Sequence, residues 1–162
     1  MSANILAIAN QKGGVGKTTT TVNLAASLAS RGKRVLVVDL DPQGNATTGS
    51  GIDKASLESG VYQVVLGDAD VQSATVHSKE GGYAVLGANR ALAGAEIELV
   101  QEIAREVRLK NALKAVAEDY DFILIDCPPS LTLLTLNGLV AAGGVIVPML
   151  CEYYALEGIS CT

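Results

Sequence analysis

Apolar residues fall into short unbroken runs that alternate with stretches of helical spacing. Ile5 to Ala9 is one such run, and it breaks into the polar, glycine-rich segment Asn10 to Thr19. A run of that length closed by glycines predicts a strand buried on both faces that feeds a turn. Between Thr18 and Ser30, Val22, Leu24, Ala25, Leu28 and Ala29 recur at helical intervals, and Gly32 is placed to end the helix. Arg34 to Asp39 then predicts a second buried strand. Strand, helix and strand in so short a span form a βαβ unit, with a right-handed crossover and a parallel sheet.

Residues 42–82 carry a weaker pattern, punctuated by Pro42 and by Gly44, Gly49, Gly51, Gly60, Gly67, Gly81 and Gly82. Short surface helices are expected there, one of them over 61–66. Tyr83 to Leu86 predicts a strand. Glu96 to Glu118 has the clearest amphipathic pattern, with Leu99, Ile103, Val107, Leu113 and Val116 on one side and an i,i+4 pair of Glu106 with Lys110 on the other. It is expected to be one helix covering the sheet. Asp121 to Asp126 predicts a third buried strand, stopped by Pro128 and Pro129. An apolar helix over 131–142, a fourth strand over 145–150 and a further helix starting at Tyr154 to Gly158 complete the pattern.

Composition supports one α/β domain. The chain has 162 residues, 49% hydrophobic and 18% charged, with a mean hydropathy of +0.32, which suffices to bury a core and argues against disorder. No stretch approaches the ~20 apolar residues that cross a bilayer. Asn10 and Lys12 interrupt the N-terminus before a secretory apolar region develops, so a soluble, cytosolic protein without membrane association is expected. The formal charge is −5, divided as +2 over residues 1–60 and −7 over the remainder. No basic stripe for nucleic acid emerges from that division. Cys127, Cys151 and Cys161 lack paired spacing, and His77 is the single histidine, expected at the surface, so zinc and disulfide frameworks are poor readings.

The glycine-rich turn carries the chemistry. A phosphate chain needs backbone N–H groups unobstructed by Cβ atoms, a helix N-terminus behind them, a cation on the β/γ oxygens and a hydroxyl for Mg²⁺. Gly13, Gly14 and Gly16 permit the approach, Lys17 supplies the cation and Thr18 the hydroxyl. The segment Gly13 to Thr19, including Val15 and Thr19, is the candidate nucleotide cradle. Gln11 stands where the usual G-x-x-x-x-G-K-[ST] pattern has its first glycine, and an added lysine, Lys12, follows it. Asp39 and Asp41 lie at the end of the second strand, where a parallel sheet opens into its ligand crevice, placing their carboxylates where Mg²⁺ and an attacking water would be. Asp126, at the tip of the third strand, can hold Mg²⁺ through water.

Lys12-Gly-Gly-Val-Gly-Lys-Thr-Thr resembles the deviant Walker A box of the ParA/MinD group of P-loop ATPases. The resemblance implies a P-loop NTPase three-layer sandwich with a mostly parallel central sheet flanked by helices, and ATP and Mg²⁺ as cofactors. It makes Lys17 the lysine of its own site and Lys12 a lysine that reaches the partner's ATP across a nucleotide-dependent homodimer. On the same resemblance Asp41 positions or activates water, Asp39 supports the Mg²⁺ shell, and Phe122 to Ser130 form the Walker B strand and its switch segment. Asp41-Pro-Gln-Gly-Asn resembles the partition ATPases of the ParA/Soj type more than cell-division MinD. The implied activity is slow ATP hydrolysis stimulated by a ParB-type centromere-binding protein, in the service of plasmid or chromosome partitioning. The implied location is the cytoplasm, with nucleoid association for the full-length family.

Cys151-Glu-Tyr-Tyr-Ala-Leu-Glu-Gly resembles the family segment that follows the next core strand, its tyrosines packing at a corner. In the family, further elements follow it and carry the contacts to non-specific DNA. The chain is therefore expected to be one domain over 1–162, incomplete at its C-terminus, that retains phosphate binding without DNA binding. A MinD-like membrane-cycling ATPase, a metabolic P-loop enzyme of the dethiobiotin synthetase kind and a non-catalytic nucleotide-binding module are the competing readings. The nitrogenase iron protein shares the fold, but Cys127 has no earlier cysteine partner, so cluster binding is not expected.

Overall fold

A computed structural model of the chain describes residues 1–151. The expected helix at Tyr154 to Gly158 lies outside the described residues, as does Cys161. The elements run β1 (Asn4–Ile8), α1 (Lys17–Ser30), β2 (Val35–Asp39), α2 (Asn45–Gly49), a 3₁₀ turn (Lys54–Ser56), α3 (Val61–Leu66) and α4 (Val71–Ala74). They continue with β3 (Thr75–Ser78), β4 (Tyr83–Leu86), α5 (Leu92–Leu99), α6 (Arg108–Lys114), β5 (Phe122–Asp126), α7 (Leu133–Ala141) and β6 (Gly144–Ile146). The six strands form one sheet in the order β3-β4-β2-β5-β1-β6, with β3 antiparallel to β4 and every other pairing parallel.

Helices cover both faces, which explains why the central strands read as continuous apolar runs. Val35 and Val37 of β2 and Leu124 of β5 face Ala25 of α1 and Ala46 of α2, whereas Leu36, Val38, Ile123 and Ile125 face α3, α5, α6 and α7. This is a three-layer α/β fold. Because β1, β2 and β5 are parallel neighbours in register, Ile8, Asp39 and Asp126 stand side by side at the C-terminal end of the central strands. The loops that follow those strands therefore start from the same end of the sheet.

The expected single helix over 96–118 is corrected to two. α5 ends at Leu99 and α6 starts at Arg108, with Ala104 between them at φ +54°. Leu99, Leu113 and Val116 are buried as their spacing predicts, but Ile103 is 91% exposed. A polar anchor on α7 outweighs the apolar stripe. Asn137 is fully buried; its Oδ1 accepts Leu109 N–H at 3.1 Å, while its Nδ2 donates to Arg105 O at 2.7 Å and Leu133 O at 2.9 Å. Those bonds require a non-helical carbonyl at Arg105 and a free amide at Leu109, so the helix is interrupted between them. Glu106 consequently pairs with Arg105 at 3.2 Å instead of with Lys110. Replacing Asn137 with Ala leaves an amide and a carbonyl unsatisfied in the core. The expected cost is about 2–3 kcal/mol, read as a fall in melting temperature of roughly 5–10 °C by circular dichroism. A melting temperature that does not move would refute this account of the break.

Two smaller corrections concern the sheet edges. β6 covers three residues, Gly144–Ile146, in place of the expected 145–150. Pro148 has no N–H for a ladder, and its carbonyl accepts Asn10 Nδ2 at 3.0 Å. β3, the antiparallel edge strand, lies in the weakly patterned region where only short helices were expected, and its exposed Val76 and His77 give no alternating signal.

Candidate functional site

The site forms where β1, β2 and β5 end. β1 passes through Asn10 into the loop that opens α1, and Asn10 Oδ1 accepts Lys12 N–H at 3.0 Å, fixing the loop's first turn. Gly14 and Gly16 adopt φ of +71° and +84°, a backbone region that costs a side chain but not glycine. A Cβ built on Gly13, Gly14 or Gly16 would meet nothing within 4 Å, so the space above the loop is open. Gly16 is the N-cap of α1, and no side chain caps that helix or places an acid in its first turn. Its leading N–H groups are thus available to an anion, with the helix dipole behind them. Val15 is buried and presents only its backbone, while Thr19 is exposed on the first turn.

Lys17 is buried to 8% exposure, and its Nζ donates to Lys12 O at 3.1 Å. Desolvation lowers its pKa; Asp126 and Asp41 beside it pull the other way. Thr18 Oγ1 donates to Asp126 Oδ2 at 2.7 Å, and Thr21 Oγ1 stands 3.1 Å from Asp126 Oδ1. Burial pushes the Asp126 carboxyl up to about 6, against the two threonine hydroxyls that favour its charged form. A hydroxyl at the start of the P-loop helix against a carboxylate at a strand tip is an oxygen donor set suited to Mg²⁺. The fit is good for nucleotide and metal alike: an open glycine cradle, an uncapped helix N-terminus, one enclosed cation and this oxygen pair.

Asp41 is half-buried, and its Oδ1 accepts Gln43 N–H at 2.9 Å. It is close enough to Lys17 and Asp126 to act on both electrostatically. Asp39 stands next to Asp126 in the strand register, but its carboxylate turns toward α2. Its Oδ2 accepts Thr47 N–H at 2.9 Å and Thr47 Oγ1–H at 2.7 Å, and its Oδ1 accepts Asp41 N–H at 3.1 Å. Burial raises its pKa to about 7. Lys12 is half-buried with its carbonyl toward Lys17, and its ammonium forms no ion pair among the described residues. Cys127 is buried behind the site, where desolvation pushes its thiol up to about 12, so it offers no ready thiolate.

Lys12, Lys17, Thr18, Asp41 and Asp126 therefore gather at one crevice, with Asp39 at its back. Asn10, Thr21 and Thr47 were not singled out from the sequence. Thr21 had a usable signal, since it lies one helical turn after Lys17 on the face turned to the sheet. Thr47 sits in the weakly patterned region and had none.

The chain matches the AAA domain family over residues 3–161. It is 61% identical over 156 residues to the sporulation initiation inhibitor protein Soj of Bacillus subtilis, spanning 96% of this chain and 62% of that protein. It is 55% identical over 157 residues to the chromosome partitioning protein ParA of Myxococcus xanthus, spanning 96% of this chain and 55% of that protein. Its structure is similar to that of cobyrinic acid a,c-diamide synthase from Mycobacterium smegmatis with bound ATP analogue and magnesium. The TM-score is 0.94 at 49% identity, over 98% of this chain and 65% of that one. The chain spans about 60% of the length of the curated relatives it matches. With an AAA domain match over nearly all its residues and Soj and ParA relatives above half identity, the chain belongs to the AAA domain family, among the P-loop ATPases of the ParA/Soj type.

Proposed function

We propose that this chain is an ATP-binding, slowly hydrolysing switch for plasmid or chromosome partitioning. It pairs with a second copy across the nucleotides and answers to a ParB-type centromere-binding partner. The observation that carries the reading is the constellation of Lys17, Thr18 and Asp126 under an open glycine cradle, with Asp41 beside it. The names of the Soj and ParA relatives support the biological setting.

The chain's residues divide the work. The loop Gly13 to Thr19 binds the phosphates through backbone N–H groups, and Lys17 neutralises charge that develops between the β- and γ-phosphates. Thr18 and Asp126 would hold Mg²⁺, which when bound neutralises phosphate oxygens as a Lewis acid. Asp41 orients water toward the γ-phosphate and accepts its proton. Lys12, which forms no ion pair among the described residues, reaches the phosphates of the partner copy.

Light scattering tests this with the chain, ATP and Mg²⁺. The mass is expected to double with ATP and to stay monomeric with ADP. Lys12→Ala is expected to bind ATP within about threefold of the unsubstituted chain, a difference under ~1 kcal/mol, yet remain monomeric. A chain that stays monomeric with ATP would overturn the sandwich reading. One observation favours a second reading: the structural relative at TM-score 0.94 bears the name of an amide-forming synthase. ATP turnover by a monomer that requires a small carboxylic acid acceptor would decide for it.

A further inference from the structure

We infer that Asp39 is a positioning residue that sets the geometry of the Asp41 loop, and that it does not serve the metal. The inference rests on the reading of Asp41 as the group that orients water. Asp39 is fully buried, and its two carboxylate oxygens already accept three protein donors, Asp41 N–H, Thr47 N–H and Thr47 Oγ1–H. A carboxylate offers about four acceptor positions, so few remain for a hydrated cation, and none opens to solvent. Asp126, in contrast, faces the hydroxyl of Thr18 at the head of the P-loop helix.

The bonds of Asp39 continue outward. Thr47 Oγ1, having donated to Asp39, accepts Ala88 N–H at 2.9 Å, which joins the loop to the end of β4. Gly44 closes the same loop at φ +65°, and a Cβ there would stand 2.6 Å from Ala88 O. The turn from Asp41 to Gly44 is therefore held from below by Asp39 and from behind by Ala88, with Thr47 as the shared member. Fixing a catalytic side chain through its own backbone amide is how supporting residues convert burial into rate.

The test compares Asp39→Asn, Thr47→Val and Thr47→Ser in the whole chain. Three readouts are needed: Mg²⁺ dependence of fluorescent ATP-analogue binding, amide hydrogen exchange, and steady-state turnover. Asp39→Asn keeps the shape but turns an amide donor toward the Thr47 donors. It is expected to shift half-saturating Mg²⁺ by less than about twofold while exchange at Asp41, Thr47 and Ala88 accelerates roughly tenfold or more, one lost hydrogen bond's worth. It is also expected to lower kcat at unchanged KM. Thr47→Val should reproduce the exchange effect, and Thr47→Ser, which restores the hydroxyl, should recover protection. Thr47→Val carries the test if Asp39→Asn does not fold. A rise of about tenfold or more in half-saturating Mg²⁺ with exchange unaltered, the behaviour of a group that serves the metal, would overturn the inference. Absence of turnover in the unsubstituted chain would overturn the proposed ATPase, while the Mg²⁺ and exchange readouts would still decide the role of Asp39.

Discussion

Replacing Lys17 with Ala is expected to abolish nucleotide binding while leaving the fold intact. Lys17 is the cation enclosed in the glycine loop, and its nearest charged neighbours are Asp126 and Asp41. Without the ammonium, a triphosphate would enter a pocket whose remaining charges repel it, and a buried charge without its partner is penalised far more than an exposed one. Charge-assisted hydrogen bonds of this kind contribute about 1.5–3 kcal/mol each, and the repulsion adds to that loss. Affinity for ATP should fall by roughly 100-fold or more, measured by titration calorimetry. The fold should tolerate the change, because among the described residues the ammonium's one hydrogen bond is to Lys12 O and its removal relieves a desolvated charge. Stability is expected to stay within about 1 kcal/mol. If the Ala variant is folded and binds ATP within about threefold of the original, the loop is not a phosphate cradle.

The central strands and the glycine-rich loop were legible in the sequence because one physical rule governed each. β2 and nearly all of β5 are buried, and β1 is buried at Ala7 and Ile8, so their apolar runs are unbroken and end at the polar residues that enter the crevice. Gly14 and Gly16 mark positive φ, and α1 begins directly after them, so loop and helix announce each other. Residues governed by contacts distant in sequence could not be read this way. Asn137 breaks the expected long helix from 28 residues away, by capturing Leu109 N–H. Thr47 acts through Asp39 and through Ala88, 41 residues on. The Asp39 side chain is the instructive case: its place at the strand end was predictable, yet the direction of its carboxylate depends on α2, whose sequence Asn-Ala-Thr-Thr-Gly carries almost no helical signal. Strand position alone does not set the direction in which a carboxylate turns.

Asp41→Ala is expected to separate binding from turnover. Among the described residues the Asp41 carboxylate accepts one hydrogen bond, from Gln43 N–H in its own turn, so its removal disturbs little beyond that turn. It is half-buried at the mouth of the crevice, on the same side as Lys17 and Asp126, and its negative charge opposes the approach of phosphate. Loss of that charge should leave ATP affinity equal or slightly higher, by less than about threefold. Turnover should fall by a factor of about 10² to 10⁴, the usual contribution of a positioned group that moves a proton. A drop in kcat with little change in KM is the signature of an interaction made in the transition state and not in the ground state. Asp41→Asn sharpens the test, since the amide keeps an acceptor for Gln43 N–H but cannot take a proton from water. Equal losses for Ala and Asn identify proton acceptance or charge as the function, whereas substantial activity in the Asn variant identifies orientation alone. Parallel loss of ATP binding and turnover in both variants would remove Asp41 from the chemistry and assign it to the nucleotide pocket.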